Sequence, residues 1–179
     1  MARLPYPDPA QQSDEIRERL ARLGSLNVTR MMSHSEGAMQ AYSRLGTFLL
    51  RKGQLDPVLR EIVILRVGQL CGSEYEWYQH VSVARAVGMD EDTLSAIEAE
   101  TFDRLGERER IAVRMAEEIA HDRGASDETM RAAALNFTSE ELVELVLVAG
   151  YYIMTAGFLL SFGIEIEDTP PLGASMTPS

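Results

Sequence analysis

An all-α fold is what this sequence predicts: a single-domain helical bundle built around a central helical hairpin. Three observations lead there. Helix start and stop signals recur from end to end, and no stretch alternates apolar and polar residues long enough to make a strand. The 179 residues, 45% hydrophobic and 25% charged, supply one sizeable core and are too few for two full domains.

Taken in order, residues 1–12 read as an extended, proline-rich arm. Ser13, followed by Asp14 and Glu15, caps a first helix that ends near Gly24, with its acids at the positive end of the helix dipole. A short element covers 26–33. Ser35 and Glu36 open the next helix, whose Met39, Tyr42, Leu45 and Leu49 fall at core-facing spacing before Gly53 stops it. Asp56-Pro57 is an N-cap followed by the residue best tolerated at the first helical position, so a helix runs over 57–71. Gly72 breaks it, Ser73 caps the next, and Gly88 takes the position just past that helix's end; these two helices make the hairpin. Asp90 caps a short helix, 107–122 form another that ends before Gly124, and 126–136 a further short one. Thr138 and Glu141 make a capping box for the last long helix, which stops at Gly163. Residues 169–179 are expected to be a flexible tail, since proline and small residues give them little to bury.

Composition excludes several classes of function. Seventeen Lys+Arg against 28 Asp+Glu give a formal net charge of −11, without the basic footprint that nucleic acid or an anionic membrane surface requires. One cysteine, Cys71, allows neither an intrachain disulfide nor a C-x-x-C redox pair, and with three histidines no Cys/His zinc cluster can be assembled; no metal and no cofactor are expected. The N-terminal residues contain no apolar segment of the secretory type, and the expected location is cytoplasmic. Residues 145–160 are apolar apart from Thr155 and approach the length of a membrane span, but acids flank them on both sides without Lys or Arg nearby. A helix apolar all round can instead be the bundle's central helix or lie between subunits, so a homo-oligomer is expected.

The chemistry-bearing segment is 61–80. Glu76 and His80 are four apart and share a helix face, so the carboxylate can orient the imidazole or raise its pKa. Glu61 lies about eleven residues before the turn and His80 about seven after it. In an antiparallel pair their axial offset is only ~6 Å, which a long side chain or one water can bridge. Each residue also has a plain structural reading. Ser73-Glu-Tyr-Glu76 matches the S-x-x-E capping box, His80 can be a hydrogen-bonded core histidine, and Glu61 can pair with Arg60 or Arg66.

The run Leu59-Arg-Glu61-Ile-Val-Ile-Leu-Arg66, followed by Gly72-Ser-Glu-Tyr-Glu76-Trp-Tyr-Gln-His80, resembles the carboxymuconolactone decarboxylase family, which shares its fold with the alkylhydroperoxidase D proteins. The resemblance extends from Leu26-Asn27-Val28 to Phe162-Gly-Ile-Glu165. It implies an all-helical fold and closed oligomers, commonly trimers or hexamers. The peroxidase members carry a Glu, a C-x-x-C and a His at matching spacing. Here those positions hold Glu61, Ser73, Glu76 and His80, so both redox cysteines are absent and the decarboxylase side is the better match.

The resemblance therefore implies a cofactor-independent, decarboxylase-like carboxy-lyase acting on a small unsaturated lactone or keto acid, and not a thiol peroxidase. His80 is expected to give or take the proton, Glu76 to orient it, Glu61 to act as relay or second base, and Ser73 to touch substrate. The same groups suit isomerisation, lactone opening or dehydration, and a non-catalytic oligomer that binds a small ligand is a further alternative. Arg66 is a candidate for the substrate carboxylate only because it shares a helix with Glu61.

Overall fold

The computed structural model describes residues 2–169 and 171–172. Among them lie α1 (Asp14–Arg22), α2 (Asn27–Met32), α3 (Glu36–Arg51), α4 (Pro57–Cys71), α5 (Glu74–Ala86), α6 (Glu91–Glu98), α7 (Glu107–Asp122), α8 (Asp127–Asn136) and α9 (Ser139–Phe162), with short 3₁₀ turns at Pro9–Gln11 and Phe102–Arg104 and no strand. The fold is an all-α bundle, as the periodicity predicts.

The caps explain the boundaries. Asp56 Oδ1 accepts from the amides of Val58 and Leu59, and Pro57 occupies the first turn where no amide is needed. Thr138 and Glu141 make the full reciprocal box at the start of α9. Gly72, Gly88 and Gly163 adopt the left-handed conformation that favours glycine. At the end of α7 the left-handed residue is Arg123 and not Gly124.

The helix at the centre is α4, with α5, α7 and α9 packed around it. Every residue from Leu59 to Gly68 is buried, including Arg60, Glu61 and Arg66, and Ile62, Val63, Ile64, Leu65 and Val67 have no exposed surface. Burial on this scale stabilises by about 1.5–3 kcal/mol per large aliphatic side chain. Long and apolar enough by composition to cross a membrane, α9 is only partly enclosed. Leu145, Val148, Ala149, Tyr152, Ala156 and Leu159 are buried in the bundle, whereas Val143, Leu147, Met154 and Leu160 stand exposed along its outer side.

Two smaller apolar clusters attach α1 and α2: Ile16, Leu20 and Met39 in one, Val28, Met31, Tyr75, Leu159 and Ile164 in the other. The N-terminal arm is anchored, not free. The Arg3 amide donates to the Phe162 carbonyl at 2.7 Å and the Ala2 amide to Glu165 at 2.9 Å. Of the segment expected to form a flexible tail, Thr169, Pro171 and Leu172 are described, and the Leu172 amide donates to Gln79 Oε1 at 2.8 Å. Its other residues lie outside the described set.

Glycine at position 53 answers to close approach, not to a turn. Its backbone passes Glu144, whose buried carboxylate accepts from the Leu55 amide at 2.7 Å, and an added Cβ would stand 2.6 Å from Glu144 Oε2. Gly53→Ala should therefore destabilise the fold by about 1–3 kcal/mol. Gly37, within α3 and with nothing within 4 Å of an added Cβ, should gain up to about 1 kcal/mol as alanine. Urea denaturation of the two variants checks these opposite signs.

Candidate active site

The α4–α5 turn sets the site. Gly72 at φ 66° lets the Gly72 amide reach the Gln69 carbonyl and the Ser73 amide reach the Gly68 carbonyl at 2.8 Å, closing the end of α4. Gly68 then admits α5 closely, with its own Cβ position 3.5 Å from Glu76 Cβ. Ser73 Oγ accepts from the Glu76 amide at 3.4 Å, which is one half of the expected capping box. The other half does not form, because the Ser73 amide is already taken by Gly68. The Glu76 carboxyl is thereby left free of a capping role.

That carboxyl is the most unusual group in the molecule. Glu76 is 2% exposed, and both of its oxygens are buried without a hydrogen-bond partner. Burial pushes its pKa from 4.5 up to about 8, with Ser73 opposing weakly. At neutral pH the residue is mostly a neutral acid holding a proton.

His80 is held across the hairpin. Its Nδ1 lies 2.7 Å from Glu61 Oε2, and Arg60 Nε donates to Glu61 Oε1 at 2.9 Å. All three side chains are buried, Glu61 completely. The expected Glu76–His80 hydrogen bond is not formed. The two share a face of α5, but the antiparallel packing of α4 carries Glu61 to the imidazole first. The tautomer with its proton on Nδ1 donates to that carboxylate and leaves Nε2 as an acceptor; Nε2 has no hydrogen-bond partner among the described residues.

Glu76 and His80 line a cavity of about 760 Å³, whereas Glu61 and Arg60 lie behind them, outside its lining. Its floor is aromatic and sequence reasoning did not find it. Tyr152 meets the His80 ring edge-on at a centroid distance of 4.8 Å. Burial, reinforced by Glu61, Tyr42 and Glu76, holds the Tyr152 phenol far above its ordinary pKa, so it stays protonated. Tyr42 stacks on Tyr151 at 4.6 Å, and its hydroxyl lies 3.0 Å from Thr155 Oγ1. Since Thr155 Oγ1 donates to the Tyr151 carbonyl, Tyr42 is the donor of that pair. The adjacent tyrosines of α9 carry no distinctive spacing, so only the packing of α9 on α4 and α3 shows them as site residues.

Ser73 is buried but does not line the cavity. Arg66 does not reach it either. It pairs with Glu117 at 2.7 Å and Glu100 at 2.8 Å and lies over the Phe102 ring, tying α4 to α6 and α7. Among the described residues no three His, Cys, Asp or Glu side chains come together in a way that could hold a metal ion.

Residues 36–118 match the model of the carboxymuconolactone decarboxylase family, a segment that contains the whole hairpin and the Arg60, Glu61, Glu76 and His80 cluster. Over that segment the chain carries the sequence pattern of the carboxymuconolactone decarboxylase family. No curated protein matches the chain. Solved structures of the same fold include the alkylhydroperoxidase core protein of Ralstonia eutropha JMP134, described as an uncharacterized peroxidase-related protein (TM-score 0.81, 16% identity, 93% of each chain covered). A peroxidase-related protein of Silicibacter sp. TM1040 is similar at TM-score 0.79, with 17% identity over 93% of this chain and 91% of that one. A debrominase, Bmp8, in complex with 2,3,4-tribromopyrrole follows at 0.77, with 16% identity over 94% of this chain and 95% of that one. At these identities the likeness is one of fold. The chain lacks the C-x-x-C pair: its one cysteine, Cys71, is half-buried, with its thiol pKa raised by burial and by Glu76.

The raised Glu76 pKa has a consequence for stability. A carboxyl harder to ionise folded than unfolded stabilises fully below pH 4.5, and that contribution is lost as pH rises from there through about 8. The slope approaches about −1.4 kcal/mol per pH unit in between. Glu76→Gln should remove this dependence and leave the variant more stable than the wild type at pH 8 by a few kcal/mol. Urea denaturation at pH 5 and pH 8 measures it; equal wild-type and variant pH slopes would show Glu76 to be ionised already at neutral pH.

Proposed function

We propose that this protein is a cofactor-independent enzyme doing acid/base chemistry on a small organic acid, with decarboxylation of an unsaturated lactone or keto acid as the reaction that suits the site best. One observation carries the reading: an unpartnered, buried Glu76, whose pKa burial raises, shares a cavity wall with a histidine whose Nδ1 is fixed by a fully buried carboxylate. Such a site holds a proton donor and a proton acceptor side by side near neutral pH. The match to the family supports the lyase class, and the missing second cysteine stands against thiol-peroxidase chemistry.

The roles follow from the geometry. A substrate whose carbonyl is conjugated to the carbon bearing its carboxylate releases carbon dioxide and leaves the electron pair as a dienolate. The neutral phenol of Tyr152, protonated and facing the same space, can donate to the dienolate oxygen. Glu76 delivers its proton to carbon and recovers one from solvent. His80 Nε2 accepts a hydrogen bond or a proton from the substrate, while Glu61 and Arg60 hold the ring in place. Glu61 is thus the positioning residue, and Glu76, which the sequence reading gave that task, is the acid. A proton shift without loss of carbon dioxide uses the same pair and is favoured by the same geometry. A debrominase of this fold is seen with a small planar molecule, 2,3,4-tribromopyrrole, which supports a small-molecule ligand here.

We also propose that the protein assembles into a homo-oligomer, a trimer or hexamer, through α9. The support is its exposed side, where Val143, Leu147 and Met154 are 60%, 43% and 53% accessible. Light scattering at micromolar concentration should give a closed multiple of the 19.9 kDa chain mass. Met154→Glu, placed in that stripe, should shift the mass downward.

Incubating a panel of unsaturated lactones and keto acids with the enzyme in deuterated water, followed by NMR, tests the reaction. Carbon dioxide release with deuterium at the vacated carbon is the expected outcome; deuterium uptake alone means isomerisation. His80→Gln and Glu76→Gln should each lower turnover by about 10²–10⁴-fold. Cys71→Ser should leave it unchanged. Near wild-type rates in both of the first two variants would remove the acid/base pair as the source of activity.

A further inference from the structure

The cavity wall carries charge of the opposite sign to the rest of the molecule. The chain has 28 acids and 17 Lys+Arg, yet the cavity is lined by Arg19, Arg22, Arg44, Arg51 and Lys52 against a single acid, the largely neutral Glu76. Exposure separates two zones. Tyr75, Glu76, Gln79 and His80 are buried and form the floor, whereas Arg22, Arg44, Arg51 and Lys52 are exposed and stand at the opening. None of these four has an ion pair or hydrogen bond to another described residue, although most exposed charges of the N-terminal half do: Arg17 pairs with Asp14 and Arg85 with Glu91. Four unpaired cations gathered at one opening in a protein of net charge −11 hold a strongly positive local field.

Their distance from the floor sets the shape of the ligand. Tyr42, on the floor, and Arg51, at the opening, are nine residues apart on α3, or ~14 Å along the axis. A volume of 760 Å³ also falls in the upper part of the range of about 300–1,000 Å³ that encloses drug-sized ligands. A single-ring lactone sitting against His80 would leave the opening and its cations unused. Arg19 and Arg22 come from α1, outside the segment 36–118 that matches the family model.

We propose that the substrate is an elongated molecule that carries a remote anionic group, carboxylate or phosphate, held by Arg22, Arg51 and Lys52 at the opening while its reacting end lies between Glu76 and His80. This rests on the acid/base reading of the floor, and adds a substrate class to it. The rim cations then serve as specificity determinants: they draw anionic ligands in, fix which end enters first, and reject neutral analogues of the same length.

Binding of inert probes tests this without requiring turnover. Three probes share one aromatic body that suits the tyrosine-lined floor: 4-phenylbutanoate, 4-phenylbutyl phosphate and the neutral 4-phenylbutanol. Calorimetry should give at least tenfold tighter binding of an anionic probe than of the alcohol, weakening as salt is raised. The tighter of the two anions identifies the natural handle. In the triple variant Arg22→Gln, Arg51→Gln, Lys52→Gln, all at exposed positions, the anionic probes should lose that advantage while the alcohol binds as before. His80→Gln and Glu76→Gln should retain the preference for anions, since the rim is intact, so a failure of the floor chemistry is read separately as lost turnover with normal probe binding. Equal affinity for the three probes, an unaffected triple variant, or no binding of either anion overturns the proposal.

Discussion

A fully buried carboxyl group held between a guanidinium and an imidazole is the constraint on which the rest of this molecule depends. Glu61 sits in the middle of α4 with no exposed surface, where an isolated charge would cost several kcal/mol. It is tolerated because Arg60 Nε and His80 Nδ1 each take one of its oxygens, at 2.9 and 2.7 Å. Those two contacts dictate the register of the hairpin. His80 lies across from Glu61 only if α4 ends sharply at Gly72, where the left-handed turn sends α5 back along α4 past Gly68. Enclosure by α7 and α9 follows from the same need, since a hairpin carrying this pair at its centre must be kept from water for the pairing to hold.

Glu76 shows the opposite solution to the same physics. It lies on α5 one turn before His80, as buried as Glu61, and nothing partners it. Where Glu61 has a hydrogen-bond donor on each oxygen, Glu76 has none, and burial raises its pKa to about 8. Two glutamates within one hairpin thus sit in opposite environments, one paired on both oxygens and the other unpartnered, and the proposed division of roles between them rests on that difference. Both environments would be lost together if the cavity filled with bulk water, so the aromatic floor of Tyr42, Tyr151 and Tyr152 has an electrostatic task as well as a packing one.

Local rules carried much of the fold. Asp56-Pro57, Gly72, Gly88 and Thr138 with Glu141 mark helix ends through interactions within a few residues, and each end lies where those residues put it. The ~6 Å offset between Glu61 and His80 was also legible, because it needs only a helix rise and an antiparallel turn. What was not legible depends on contacts between distant segments. The choice of Glu61 over Glu76 as the partner of His80 is one, since i, i+4 spacing cannot say what crosses from the facing helix. The identity of the central helix is another. The most continuously apolar stretch is in α9, yet α4 is the more deeply buried, because its Arg60, Glu61 and Arg66 lower its apparent hydropathy while being paired inside. The cations of α1 and α3 look like an ordinary solvated face until the fold sets them around one opening.

The substitution of the cysteine pair can now be given a physical meaning. In the peroxidase-type pattern that the sequence resembles, a Glu and a His accompany a C-x-x-C. Here the same Glu61–His80 pair is present, but the first cysteine position is a helix cap, Ser73, and the second is Glu76. A thiolate donates electrons to an electrophile, whereas a carboxyl group that holds its proton offers that proton instead. On the proposed reading, replacing one by the other in the same surroundings turns thiol chemistry into proton transfer without moving a helix. Cys71, two residues before Ser73, does not restore the lost chemistry: its thiol is pushed further from ionisation by burial and by Glu76, and it has no second thiol to resolve a sulfenic acid.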